Sequence, residues 1–147
     1  MTDIEASARE IETVLTRRDY TRLRELLTDD FIDHGAPPGT PTGADAYVDT
    51  MRWVTETLGL QFELQESVSD GDRVALRILA RGVHHTPQFG LPATGRPYAM
   101  QTMHFYRGRD GQLAEHWGLS DQLGMLLQVG ALPLATTNET SVPDLVS

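Results

Sequence analysis

Along the first third of the chain, apolar residues recur at helical spacing. Ile4, Ala8, Ile11 and Leu15 fall at i, i+4, i+7 and i+11, which draws one apolar stripe on a 3.6-residue period. Thr2 followed by Glu5 has the capping-box spacing, which starts this helix within three residues of the N-terminus. A second helix is expected after Asp19, with Leu23, Leu26 and Leu27 as its apolar face and its end at Asp29-Asp30. Phe31-Ile32-Asp33-His34 leads into Gly35-Ala36-Pro37-Pro38-Gly39-Thr40-Pro41, a loop by composition. Thr42 with Asp45 predicts the cap of a third helix carrying Tyr47, Met51, Val54 and Leu58. Gly59 follows where a left-handed C-terminal cap belongs.

From residue 60 the period drops to two. Leu60, Phe62, Leu64 and Val68 alternate with Gln61, Glu63, Gln65 and Ser67, as in a half-buried strand. After an Asp70-Gly71-Asp72 turn, Val74, Leu76, Ile78 and Ala80 alternate with a face that carries Arg77 and Arg81. A Gly/Pro-rich connection from Thr86 to Pro97 precedes a third strand, Tyr98 to Arg107. Asp110-Gly111 is a hairpin signal, Leu113 to Leu119 pairs back, and Ser120-Asp121 opens a last helical stretch with Leu123, Leu126 and Leu127. Helices followed by antiparallel strands make an α+β plan. A curved sheet wrapped by three N-terminal helices forms a cone, with chemistry in its concave interior.

Length and composition narrow the classes. A chain of 147 residues fits one domain, expected over residues 1–133, with a Thr/Ser/Asn/Pro-rich tail over 134–147 expected to be disordered. Its sequon Asn138-Glu139-Thr140 carries little weight without a signal peptide. The balance of 12 Lys and Arg against 21 Asp and Glu gives a net charge of −9. That argues against nucleic acid and anionic membranes as partners. With no cysteine there are no disulfides, thiol nucleophiles or thiolate metal sites. An acidic N-terminus and no long apolar run make a cytoplasmic protein the expectation.

Five histidines raise a metal hypothesis, but none forms the i, i+4 pair of a helical zinc motif. No metal is therefore expected. His84 shares the parity of Val74 to Ala80, which fits either a core histidine or a polar group lining an apolar pocket. His85 falls on the Arg face. His104 lies in a strand whose two faces are both mixed, so parity does not settle its side. His34 precedes the Pro/Gly loop, and His116 has the parity opposite to Trp117, which places it outside. Asp121 sits where the last strand gives way to a helix, as an N-cap or as a catalytic carboxylate.

The stretch Gly82-Val83-His84, then Gly90-Leu91-Pro92-Ala93-Thr94-Gly95, then Phe105-Tyr106-Arg107, Asp110-Gly111-Gln112-Leu113-Ala114-Glu115-His116-Trp117, Asp121 and Gly124 resembles the SnoaL-like polyketide cyclases, of the nuclear-transport-factor-2-like superfamily. His34 after its Phe-hydrophobic-Asp run also matches, and the resemblance spans residues ~5–132. It implies a cofactor-free intramolecular aldol condensation that closes a ring of an aromatic polyketide. Asp121 would be the general acid/base and His104 the donor to the enolate oxygen. The resemblance also implies that His84, His34 and Met51 contact a hydrophobic polycyclic substrate and that Trp117 stacks on it. Gln112-Leu113 replaces the family's Lys-Ile, and His85-Thr86-Pro87-Gln88 lacks its second glycine, so the pocket rim differs. A cofactor-independent hydroxylase, isomerase or epoxide hydrolase of this fold is the rival reading, as is a non-catalytic small-molecule-binding module. Apolar residues on both faces of the third strand predict a homodimer or homotetramer.

Overall fold

A computed structural model of the chain describes residues 3–132. Three helices, α1 (Asp3–Thr16), α2 (Tyr20–Glu25) and α3 (Ala44–Glu56), and a short α4 (Gln122–Gln128) pack around five strands. The strands are β1 (Leu27–Asp33), β2 (Gln61–Asp70), β3 (Arg73–Val83), β4 (Pro97–Arg109) and β5 (Gln112–Ser120). They form one sheet in the order β1-β5-β4-β3-β2, with β1 parallel to β5 and every other neighbour antiparallel. The result is the cone-shaped α+β arrangement expected from the hydrophobic pattern.

The amphipathic α1 buries Ile4, Ala8, Ile11, Val14 and Leu15. They join Leu76, Ile78 and Tyr106 of the sheet in one core. A second core, with Leu58, Leu60, Tyr98, Met100, Met125 and Val129, lies under α4. The β4–β5 turn has positive φ at Asp110 and Gly111 (52° and 79°), the tight hairpin expected of that pair. Gly59 ends α3 at φ 68°, as its position predicts.

Several local expectations are corrected. The second helix stops at Glu25, and Leu27 opens β1, because this segment's backbone pairs with β5 in the register Leu27↔Leu113. Leu23, Leu26 and Leu27 are all buried nonetheless. The third helix is capped by Gly43 with no side-chain cap bond, and Asp45 instead meets the Arg24 guanidinium at 2.9 Å.

The β2–β3 and β4–β5 pairs each carry a bulge that reverses the parity beyond it, and the β1–β5 register also shifts, between Leu27 and Ile32. Gln65 is the extra residue in β2, where Leu64 pairs with Ile78 and Glu66 with Arg77. Val68 consequently turns outward, 65% exposed. Ala114 is the extra residue in β5, where Gly108 pairs with Leu113 and Arg107 with Glu115. Leu113 and Ala114 are both buried, after which His116 points inward and Trp117 outward, the reverse of the simple alternation. The expectations for Thr2, the tail and its sequon lie outside the described residues. No described helix is long and apolar enough to cross a membrane.

Candidate active site

Where the two cores meet, the sheet and helices enclose a cavity of about 390 Å³. Its wall is mostly apolar, with Met51, Phe62, Met100 and Met125 among the lining residues. Trp53 and Phe89 line it while remaining 50% and 62% exposed, which marks an aromatic mouth. On the inner face of β4, Thr102, His104 and Tyr106 supply polar groups to this wall. That combination of apolar surface and few convergent polar groups is what a small-molecule site requires.

Strand register explains how the polar groups meet. Asp33, His116 and Tyr106 occupy one rung across β1, β5 and β4; Gly118 and His104 occupy the next. His116 Nδ1 lies 2.8 Å from Asp33 Oδ1, His116 Nε2 lies 2.9 Å from His104 Nδ1, and His104 Nε2 lies 3.0 Å from Thr102 Oγ1. Thr102 in turn reaches the carbonyl of Ile78 at 2.9 Å. One continuous hydrogen-bonded chain therefore crosses β1, β5, β4 and β3. Asp33 Oδ1 also accepts the backbone N–H of Gly35 at 2.9 Å. The Tyr106 and Tyr47 rings pack at 4.7 and 5.4 Å from the His116 ring, and their hydroxyls are 3.2 Å apart.

Space for the histidine pair comes from Gly118. A Cβ there would fall 2.8 Å from His116 Cε1, 2.9 Å from His116 Nε2 and 3.2 Å from His104 Nδ1. The electrostatics follow from burial. Desolvation, with His116 adding to it, pushes His104 down to about 3, so the ring rests neutral. Burial raises Tyr47 and Tyr106 above the usual phenol range, so both remain hydroxyl donors.

Of the residues singled out from sequence, His104 and Met51 line the cavity and the others do not. Asp121 is exposed; its Oδ1 caps α4 by accepting the Gly124 N–H at 2.8 Å, and a Cβ at Gly124 would overlap that carboxylate. His84 is fully buried, but its Nδ1 accepts the Thr94 N–H at 3.3 Å and its Nε2 has no partner among the described residues. It anchors the loop before β4 rather than facing the cavity. His34 and Trp117 stack on each other on the outer face of the sheet, ring centroids 4.6 Å apart. His85 spans the carbonyls of Val83 and Thr57.

Sequence reasoning missed Asp33, Tyr47 and Tyr106 as site residues and placed His116 on the wrong side. Asp33 did share the parity of buried Phe31, a usable signal. Among the described residues, no group of three His, Asp or Glu is arranged to hold a metal ion.

A curved sheet closed by helices over an apolar cavity, with polar groups chained along its inner face, places the chain in the cone-shaped α+β class. The chain belongs to the SnoaL-like polyketide cyclase family, whose model matches residues 5–129. It is 26% identical over 112 residues to aklanonic acid methyl ester cyclase DauD of Streptomyces sp. (strain C5), covering 74% of this chain and 70% of that one. It is 29% identical over 94 residues to the nogalonic acid methyl ester cyclase of Streptomyces nogalater, covering 63% of this chain and 70% of that one. Among solved structures, wild-type IdmH from Streptomyces antibioticus superposes with a TM-score of 0.77 at 32% identity, covering 86% of this chain and 98% of that one.

Proposed function

We propose that this protein is a cofactor-free cyclase that closes a ring of an aromatic polyketide ester by intramolecular aldol condensation, with His104 as its acid/base. One observation carries the reading: His104 is a neutral imidazole in the wall of an otherwise apolar cavity. Two relatives bear the names of aklanonic and nogalonic acid methyl ester cyclases, which supports a polycyclic methyl ester as the substrate class. A cavity of about 390 Å³ lies within the range that holds such ligands, ~300–1,000 Å³.

In this reading Trp53 and Phe89 take the stacking role that Trp117 cannot fill from the outer face. His104 removes a proton from the acidic carbon beside a substrate carbonyl. A tyrosine hydroxyl stabilises the enolate oxygen, because Tyr47 and Tyr106 share one hydrogen bond between two hydroxyl protons. The enolate carbon attacks a second carbonyl, and the proton returns from His104 to the new alkoxide. Acid/base help of this kind contributes ~10²–10⁴-fold. Asp121 is assigned the cap alone.

The outer face of the sheet exposes Met103, Phe105 and Leu119 around Trp117, and we assign that apolar surface to a second copy of the chain. The deciding experiment incubates the protein with aklanonic acid methyl ester and with nogalonic acid methyl ester. A product of unchanged mass with one new ring, lost in His104→Phe, is expected. A product heavier by one oxygen, or no conversion of either ester, refutes the cyclase assignment.

A further inference from the structure

The connection between β3 and β4 closes on itself in a two-residue hairpin. The Gln88 N–H donates to the Leu91 carbonyl at 3.2 Å, and the Leu91 N–H donates to the Gln88 carbonyl at 2.9 Å. The two residues between them, Phe89 and Gly90, have φ of 53° and 73°. Positive φ at both positions is the primed turn that suits such a hairpin, and Asn-Gly, Asp-Gly or Gly-Gly fills it best. Here glycine takes the second position, but a phenylalanine takes the first, where its Cβ crowds the backbone. Burial does not offset that strain, since Phe89 is 62% exposed. Nor does the turn escape it by moving, because the loop is tied down. The Gln88 side chain meets the Tyr98 hydroxyl of β4. At the loop's base the His84 N–H donates to the Arg96 carbonyl at 2.9 Å, and the His84 carbonyl accepts the Thr94 and Gly95 N–H groups at 3.1 and 2.8 Å.

The strained residue lies at the mouth of the cavity, which it lines together with Trp53 of α3. Among the described residues neither ring packs on another aromatic ring, so both keep a free face. We propose that Phe89 is a specificity residue for flat fused rings: the turn holds its ring at the mouth, and stacking on the substrate offsets the backbone strain that burial leaves standing. The inference deepens the cyclase reading given above and rests on it for the substrate. A ring fixed by its backbone loses little freedom when the ligand arrives, which favours binding. A puckered ring system cannot lie flat against it, so the contact separates planar from non-planar ligands of similar size. Phe89 acts on binding and takes no part in the proton transfer.

Asn suits the first position of this turn, so Phe89→Asn separates the backbone from the ring. Its urea midpoint should rise by ~0.3–1 M as the strain is relieved. Binding of quinizarin, a flat hydroxyanthraquinone titrated by its visible absorbance, should weaken ~5–50-fold. Testosterone, whose fused rings are puckered, should displace quinizarin no less readily than from the parent. KM for aklanonic acid methyl ester should rise as quinizarin affinity falls, with kcat within about threefold. Phe89→Tyr keeps both ring and strain and should match the parent in midpoint and affinity. Unchanged quinizarin affinity in Phe89→Asn overturns the proposal, as does a midpoint that fails to rise, an equal loss of testosterone binding, or a parent that binds no quinizarin. A parent that binds quinizarin but converts neither ester refutes the cyclase reading instead, and the Phe89→Asn affinities then decide the role of Phe89 alone.

Discussion

Gly118→Ala is the smallest change that interrogates the site. The glycine has no left-handed φ, so alanine fits its backbone without strain, and in an open strand the exchange would stabilise the protein by ~0.5–1 kcal/mol. Here the new methyl carbon would lie 2.8 and 2.9 Å from the His116 ring and 3.2 Å from His104 Nδ1, against 3.4–4 Å for ordinary contact. The His116 ring must retreat by about half an ångström or more. It is held on its other side by Asp33 at 2.8 Å and by the Tyr106 ring at 4.7 Å, so the retreat stretches the 2.9 Å bond to His104 out of useful range. A buried donor and acceptor left apart cost ~1–3 kcal/mol. A strained ring adds ~0.5–1.5 kcal/mol. Net of the glycine gain, the variant should lose about 1–3 kcal/mol in urea unfolding. Turnover of the ester should drop ~10–100-fold, by the same lost bond at a factor of ten per ~1.4 kcal/mol. A Gly118→Ala protein as stable and as active as its parent would refute the argument that this glycine is there for space.

The remaining expectations are briefer. Asp121→Asn should keep both stability and turnover, since Asn caps as well as Asp, while Asp121→Ala should lose ~0.5–2 kcal/mol in urea with kcat within a few fold; a hundredfold loss of kcat in Asp121→Asn restores it as the base. His104 is held well below its unfolded value near 6.5, so it binds fewer protons folded than unfolded, and stability should fall as pH drops from about 6.5 toward 3. His116 faces that ring directly, Asp33 stands behind His116 and Tyr106 stacks beside the ring at 6.4 Å, and His104→Phe should flatten the urea-midpoint profile between pH 4 and 7. Leu119→Glu on the outer face should convert a dimer into a monomer by light scattering, and a monomeric parent at micromolar concentration would defeat that assignment. Turnover should survive exhaustive dialysis against EDTA, because the facing nitrogens of His104 and His116 are spent on each other; loss restored by stoichiometric zinc or iron would show otherwise.

Much of the fold could be read from the sequence because hydrophobic period reports which faces must be buried. The helical stripe of α1, the switch to period two at residue 60 and the Asp110-Gly111 turn all lie where the residues place them. The site was harder, for a physical reason. Parity along a strand is a local rule, and a single extra residue at Ala114 inverts it, sending His116 into the cone and Trp117 out. Leu27 misled differently: with Leu23 and Leu26 its spacing suits a helix, yet pairing with β5, more than eighty residues away, decides for strand. Asp121 shows the limit of motif reasoning, since a carboxylate at a strand–helix junction satisfies backbone N–H groups whether or not it meets a substrate.

The parallel pairing of β1 with β5 sets a clock on the birth of the site. Asp33 meets His116 across 83 residues of chain, and no earlier strand can stand in for β5 at that edge. At ~5–20 residues per second of synthesis, the N-terminal segment waits several seconds after its own emergence before its partner exists. During that interval the hairpins of β2 to β4 can form from local contacts, whereas β1 must bridge the longest loop in the sheet. The closing of that edge is therefore the step at which a folded barrel wall becomes an acid/base site, and ring-nitrogen protection at His116 would report the moment of maturation.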